Sequence, residues 1–149
     1  MTLPSRITHT ALWLWALPLT LCGLPLWAWM YLSRRRNGQK NQVNRAVVLV
    51  NRTQTATVFI AYGAPMAWLL KRHPYGEMDA IAVGCCIFAQ NQAAYTRTLA
   101  HELVHVQQAL HWGPLFPVAY ALNSVWQKCC GRCPYTNNYF ERQANGACK

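Results

Sequence analysis

The sequence predicts an α+β fold in which a long apolar helix at the N-terminus precedes one small domain. Three observations support this prediction. Residues 11–32 carry no charge, and short apolar, β-branched runs follow between residues 46 and 90. Residues 93–111, which contain no Pro or Gly, then repeat apolar residues at helical spacing. We therefore expect a short sheet packed on this helix, with two further helices after it.

The uncharged run at residues 11–32, ALWLWALPLTLCGLPLWAWMYL, has the length of a membrane-spanning helix. At about 1.5 Å per residue it extends roughly 33 Å, and the core of a bilayer is about 30 Å thick. Pro18 and Pro25 are expected to kink it, which membrane helices tolerate. Aromatic residues lie near both ends, as in spanning helices: Trp13 and Trp15 at one end, and Trp27, Trp29 and Tyr31 at the other.

Two other interpretations of this run stay open. A cleaved signal peptide has an apolar region of about 7–15 residues and then a cleavage site with small residues. Here the run is longer and ends in Ser33-Arg34-Arg35-Arg36. The run could instead be a buried hairpin or a core helix. Its length and its basic end favour an uncleaved membrane anchor.

Basic residues flank the apolar run unequally. Arg6 alone precedes it, whereas five follow: Arg34, Arg35, Arg36, Lys40 and Arg45. Because the more basic flank usually stays in the cytoplasm, we predict a single-pass membrane protein. Residues 1–10 would be an outer tail, 33–45 a basic linker and 46–149 a cytoplasmic domain. The arginine cluster is expected to contact anionic lipid headgroups, and no nucleic-acid partner is expected.

The domain itself opens with strand signals. Residues 46–50 predict a strand, and residues 55–62, TATVFIAY, predict either a second strand or a short helix. A helical turn at 66–72 and a loop at 73–79 are expected next. Residues 80–90, AIAVGCCIFAQ, predict one or two buried strands.

The helix predicted at residues 93–111 carries both an apolar stripe and two histidines. Leu99, Leu103, Val106 and Leu110 recur at spacings that place them on one face, and Gly113-Pro114 supplies a stop signal. His101 and His105 are four residues apart, so they lie one turn apart on the same side. One face can therefore pack on the core while another presents two imidazoles to a common point.

The segment His101-Glu102-Leu103-Val104-His105 has the HExxH spacing of a zinc site. Two histidines four apart on a helix can bind one zinc ion, and Glu102 can take a proton from water without binding the metal. The chain has only four acidic residues and a net charge of +10. Because acids are so scarce, Glu102 is not readily explained as an ordinary solvent-exposed surface residue. The alternative is a chance match to a short motif.

A third ligand is expected, because catalytic zinc usually has three protein ligands. A helix is predicted near Pro117, within 114–126, then a loop at 127–137 and a further helix at 138–145. Glu141, 36 residues after His105, is the only acid after Glu102. We predict that it binds the metal, and that Asn145 hydrogen-bonds a ligating imidazole. Alternatively, Glu141 is a surface residue paired with Arg142 or Arg97.

HELVH followed by FERQAN resembles the gluzincin pattern of zinc metallopeptidases, to which thermolysin belongs. The stretches HELVHVQQ, GPLFPVAYALNS and NNYFERQA are also similar to small bacterial membrane-anchored proteins with a minimal metallopeptidase-like domain. The resemblance implies a zincin-like domain at 46–149, one Zn²⁺ held by His101, His105 and Glu141, and a bacterial inner membrane location. The pattern departs at Asn145, where thermolysin-like enzymes have Asp.

The resemblance implies hydrolysis of peptide bonds, with Glu102 as general base and a hydrogen-bond donor for the oxyanion. Candidates for that donor are Tyr120, Tyr139 and, with weaker support, Tyr135 and His111. His111 is more readily explained as a surface or helix-capping residue. The competing interpretation is a non-catalytic, zinc-binding, basic module that associates with membranes. The sequence names no substrate and no oligomeric state.

Seven cysteines allow several roles: Cys22, Cys85, Cys86, Cys129, Cys130, Cys133 and Cys148. The Cys85-Cys86 pair lies in a buried-strand run and is expected to pack as small apolar residues. Cys130 and Cys133 form a lone CxxC, for which a structural zinc, a redox role or a disulfide can be considered. The odd count and a cytoplasmic domain favour reduced thiols.

Overall fold

The computed structural model describes residues 5–36, 42–51, 54–72 and 76–147, and side chains for 10–33, 43, 56–72 and 76–146. Several sequence predictions fall outside this description. They concern the N-terminal tail before residue 5, the linker at 37–41, part of the predicted loop (73–75), Cys148, and the side chains on which the orientation depends, namely Arg34, Arg35, Arg36, Lys40 and Arg45.

The described chain is an α+β fold, as predicted. Its helices are α1 (Ser5–Arg36), α2 (Ala64–Lys71), α3 (Gln92–Trp112), a 3₁₀ turn (Gly113–Leu115), α4 (Phe116–Cys129) and α5 (Tyr139–Ala147). Its strands are β1 (Gln42–Asn51), β2 (Gln54–Tyr62), β3 (Ala80–Val83) and β4 (Cys86–Ala89).

The structure decides between the element predictions that the sequence left open. Residues 55–62 belong to a strand, and residues 80–90 form two strands joined at Gly84. Strand β1 begins at Gln42, inside the segment predicted as linker, because it pairs in register with β2 from Gln42 opposite Tyr62 onward. Helix α4 continues to Cys129, three residues into the predicted loop.

The four strands form one sheet in the order β1-β2-β4-β3. Strand β2 is antiparallel to β1 and parallel to β4, and β3 is antiparallel to β4. Within the described part of the chain, β3 therefore ends the sheet on one side. Helix α3 packs on this sheet through the predicted stripe: Val106 and Leu110 are buried with Val58 and Ile87, and Leu99 and Leu103 pack against the same cluster.

Helix α1 contains the segment Thr10–Ser33, which is long and apolar enough to cross a membrane. In the structure this segment packs along the domain. Ala16, Thr20, Gly23 and Met30 follow at spacings of four, three and seven residues, which place them on one face, and all are buried. The packed face of α1 thus continues over much of its length, and α1 is part of the domain core.

Two polar contacts and a close approach fix α1 on the sheet. The Cys85 N–H donates to the Thr20 hydroxyl at 3.1 Å, and the Trp27 indole N–H donates to the Ile60 carbonyl at 3.2 Å. Gly84 has a φ of 60°, and a Cβ there would lie 2.5 Å from the Thr20 nitrogen. Glycine is required at the β3–β4 turn both by this left-handed conformation and by the nearness of α1.

Candidate metal centre

Helix α3 brings the two motif histidines together. Its N-terminus is capped by Asn91, whose side-chain oxygen accepts from the Ala94 N–H at 2.9 Å. The Nε2 atoms of His101 and His105, one turn apart, lie 3.1 Å from each other. Two ring nitrogens this close, both turned to one point, are placed as a pair of metal ligands would be.

Glu141 reaches the same point from α5. Its Oε2 lies 3.3 Å from His101 Nε2, and its Oε1 lies 3.3 Å from His105 Nε2. Asn138, fully buried, fixes the start of α5: its Oδ1 accepts from the Phe140 N–H, and its amide donates to the Tyr120 carbonyl and the Ser124 hydroxyl on α4. Glu141 is 3% exposed, and Arg97 pairs with Asp79 instead, which excludes the surface-pair interpretation.

The three side chains are close enough to hold one metal ion. For bonds of about 2.0–2.1 Å and tetrahedral angles, ligand atoms lie roughly 3.3 Å from one another. Here the two Nε2 atoms are 3.1 Å apart, and each lies 3.3 Å from a different oxygen of Glu141. One ligand atom from each residue lies within 4.8 Å of the others. In addition, Glu141 Oε2 is buried without a hydrogen-bond partner. Among the residues that the structure describes, no other group of three His, Cys, Asp or Glu side chains is close enough to share a metal.

Charge coupling links Glu141 to the histidines. Burial alone would raise the pKa of Glu141, but the His101 and His105 imidazoles 3.3 Å away and the hydrogen bond from the Tyr120 hydroxyl together lower it. Burial likewise opposes a charged His105, yet the adjacent carboxylate of Glu141 and the hydrogen bond to Gln108 raise the pKa of that imidazole. The site therefore keeps Glu141 ionised, as a metal ligand must be.

Gln108 orients His105. Its Oε1 lies 2.8 Å from His105 Nδ1, so Nε2 of that ring is left to face the centre. Its amide donates to the Phe140 carbonyl at 3.1 Å and to Gln143 Oε1 at 2.9 Å, both on α5. The sequence predicted that Asn145 would make the hydrogen bond to a histidine of the site. That residue is exposed, since the inward face of α5 carries Phe140, Glu141 and Ala144.

Glu102 lies beside the three candidate ligands but is not one of them. It is 4% exposed and lines the same cavity as His101 and His105. Burial raises its pKa to about 7, against the opposing charges of the two histidines and a hydrogen bond from the Ala82 backbone. Its Oε2 is buried with no hydrogen-bond partner. A carboxylate so placed is free to accept a proton from a molecule in the cavity.

The candidate oxyanion donors separate into two groups. The Tyr120 hydroxyl donates to Glu141 Oε1 at 2.9 Å, and Tyr135 also lines the cavity, where burial and the nearby Glu141 raise the pKa of its phenol. Tyr139 is 59% exposed and is absent from the cavity lining. His111 is exposed on the last turn of α3, with Nδ1 2.8 Å from the Gln107 carbonyl, as expected for a helix-capping residue.

A cavity of about 320 Å³ is lined by the three candidate ligands and Glu102. Strand β3 supplies one wall from Ala80 to Val83, and Phe116 and Pro117 supply another. Leu19 of α1 also lines it, so the N-terminal helix borders the site directly. Apart from the motif residues, Glu141 and the two tyrosines, the lining is apolar.

The described cysteines are all free. Cys85 and Cys86 are fully buried, as predicted. Cys129, Cys130 and Cys133 are exposed at the end of α4 and in the turn beyond it. They form no metal-binding group within the described residues.

Comparison with known proteins finds no family model, no curated protein and no solved structure that matches this chain. The site must therefore be interpreted from its own chemistry. Sequence reasoning missed Gln108 as the partner of His105, although its position three residues after His105 was a usable signal. It also missed Leu19 and the backbone of Ala82, which no local pattern could connect to the motif.

Proposed function

We propose that the protein is a zinc-dependent peptidase. The observation that carries the proposal is the convergence of His101 Nε2, His105 Nε2 and Glu141 at 3.1–3.3 Å, with the buried carboxylate of Glu102 beside them. Zinc bound by these three residues would act as a Lewis acid and activate water for attack on a carbonyl.

The side chains around the ligands have roles of their own. Glu102 would accept the proton of the attacking water and return it to the leaving amine. Gln108 holds the tautomer of His105, and Tyr120 holds Glu141 through its hydroxyl. Tyr135 lies in the cavity wall with a phenol that could donate to the developing oxyanion, and replaces Tyr139 as the second candidate.

The cavity supports an extended peptide as substrate. Strand β3 ends the described sheet and forms one wall, so an unstructured chain can pair with its free edge. Met78, Ile81 and Phe116 make that wall and its surroundings apolar. We therefore expect cleavage next to apolar residues.

Replacement of Glu102 by Gln tests the proposal. As a base that is not a ligand, Glu102→Gln should retain about one zinc per chain and lower the hydrolysis of an unstructured casein-like substrate by about 10²-fold or more. Metal content is measured by atomic emission, and hydrolysis by release of new amino termini. Glu77→Gln, which removes an exposed acid, is the matched control.

The ligand assignment has its own test. His101→Ala and Glu141→Ala should each weaken zinc binding strongly, since either leaves two protein ligands. Zinc as tight in Glu141→Ala as in the parent chain would contradict the three-ligand site. Loss of zinc from Glu102→Gln would show that Glu102 is a ligand, and an unchanged rate would remove it from the reaction.

A membrane location is part of the proposal. The sequence predicts a single-pass protein of the bacterial inner membrane with its C-terminal domain in the cytoplasm, and α1 supports membrane contact by its length and composition. A substrate at the membrane would fit such a location. The way in which α1 meets the bilayer depends on its packing.

A further inference from the structure

The outer face of α1 is apolar and exposed. Leu14, Leu21 and Trp29 are 57%, 53% and 50% exposed. The segment Thr10–Ser33 carries no charged residue. Its inner face is apolar as well, because that face packs on the domain core. The inner face of α1 is thus buried against the domain, while a long apolar strip on its outer face stays exposed.

Helix α4 carries a second exposed apolar strip. Val118, Leu122 and Val125 follow at spacings of four and three, so they share one face, and they are 56%, 66% and 59% exposed. Trp126 adds an indole that is 64% exposed. The opposite face of α4 is occupied, since Tyr120 and Ser124 bond to Glu141 and Asn138. The strip is therefore not needed for the fold or for the metal centre.

Trp15 links α1 to the 3₁₀ turn that precedes α4. Its indole N–H donates to the His111 carbonyl at 3.3 Å, at the end of α3. A Cβ on Gly113 would lie 2.5 Å from the Trp15 ring, so the 3₁₀ turn that leads into α4 rests on this side chain. Leu115, in the same turn, is 56% exposed. We call the exposed apolar residues Leu14, Leu21 and Trp29 of α1, Leu115 of the 3₁₀ turn, and Leu122 and Trp126 of α4 together the α1–α4 face.

The packed form of the protein cannot cross a bilayer through α1. Thr20, near the middle of Thr10–Ser33, touches the β3–β4 turn, and Leu19 lines the metal cavity. A crossing α1 would carry the edge of β3 and the polar side chains of His101, His105 and Glu141 to the centre of the hydrocarbon. No water is present there to hydrogen-bond unpaired backbone groups, so this placement is strongly unfavourable. Helix α1 can meet lipid in this form only by lying along the surface.

We propose that the α1–α4 face rests on an anionic lipid bilayer, with α1 parallel to the membrane and both of its ends on the same side. The charges agree with this partner. Glu102 and Glu141 are buried in the metal centre, and Glu77 and Asp79 border a cavity beside β3. Lys128 and Arg132 are exposed at the end of α4, and the net charge is +10. The proposal does not depend on the metal site or on peptidase activity.

Tryptophan quenching tests the contact of α4 with lipid. The full chain is bound to vesicles of phosphatidylcholine and phosphatidylglycerol in which part of the phosphatidylcholine carries bromine on its acyl chains. Trp126→Phe should lose part of the emission that bromine quenches and none of the emission that aqueous iodide quenches. Loss of iodide-quenched emission instead would show that Trp126 faces water, and would overturn the proposal.

Tags at the two ends of the full chain test the orientation of α1. In intact spheroplasts treated with protease, an in-plane α1 leaves both tags cut or both protected, whereas a crossing helix leaves one of each. One cut and one protected tag would overturn the proposal. Zinc content is measured on the same samples and tests the metal centre separately. Failure of the membrane proposal can therefore be distinguished from failure of the metal-site proposal.

Discussion

Gln108 offers the sharpest test of how the metal centre is held. Its Oε1 is 2.8 Å from His105 Nδ1, and its amide ties α3 to α5 through the Phe140 carbonyl and Gln143. Gln108→Leu removes all three contacts while keeping a similar volume. Loss of a partner that orients a ligating His typically weakens metal binding by about 10–100-fold. This corresponds to about 1.4–2.7 kcal/mol.

The same change should also lower the stability of the metal-free chain. The Phe140 carbonyl and His105 Nδ1 would remain in a buried region without their partner, and each such loss costs about 1–3 kcal/mol. Zinc affinity is measured by competition with a fluorescent chelator, and the free energy of unfolding by urea titration followed by circular dichroism. The affinity measurement is made on folded protein, which separates the two effects.

Two matched variants sharpen the interpretation. Gln107→Leu makes the same replacement one position earlier, where the side chain has no hydrogen bond to a ligand, and should leave zinc affinity unchanged. Gln108→Glu keeps an acceptor for His105 Nδ1 and should bind zinc better than Gln108→Leu. Equal zinc affinity in Gln108→Leu and the parent chain, or an equal loss in Gln107→Leu, would refute the role given to Gln108.

Two further predictions concern the docked helix and the thiols. Gly84→Ala should destabilise the chain more than Gly131→Ala in urea titrations: both have positive φ, which costs roughly 1–2 kcal/mol for Ala, but only at Gly84 would the Cβ meet Thr20. Equal losses would mean that α1 is not docked on the β3–β4 turn. Iodoacetamide should modify Cys133 before Cys86. Hydrogen bonds from Thr136 and the backbone lower the pKa of the exposed Cys133 thiol. Burial and the neighbouring Cys85 raise the pKa of the Cys86 thiol to about 12. Mass spectrometry of the folded chain that finds Cys86 alkylated as fast as Cys133 would contradict this.

Helix periodicity explains why the core of the motif could be predicted from local spacing. His101 and His105 lie one turn apart wherever α3 forms, and Val106 and Leu110 turn the helix toward the sheet by the same period. Glu141 was predicted by scarcity, since no other acid follows Glu102. Glu141 lies 3.3 Å from both imidazoles because Asn138 fixes the start of α5 and α5 packs against α3. The spacing of residues along the chain does not predict these contacts.

Asn145 shows the limit of the same periodicity. Four residues after Glu141, it lies about 40° from that residue around the helix. The inward direction of α5, however, runs through Phe140, Glu141 and Ala144, on the other side of Glu141. Asn145 is consequently exposed, and Gln108 occupies the position next to His105. Helix spacing states which residues share a side, but the packing of α5 decides which side is turned inward.

The sequence by itself determined the α+β class, the two-histidine motif with its adjacent Glu102, and the presence of a helix long and apolar enough for a membrane. Each of these depends on spacing within one element, where backbone geometry relates position to direction. Only the tertiary structure decided that Glu141, Tyr120 and Tyr135 meet at the centre while Tyr139 does not, and that α1 packs on the domain instead of standing apart. These outcomes depend on contacts between residues distant in the chain, such as Thr20 with Cys85. Such contacts form only when the surfaces of a helix and a sheet are complementary in shape over their whole length.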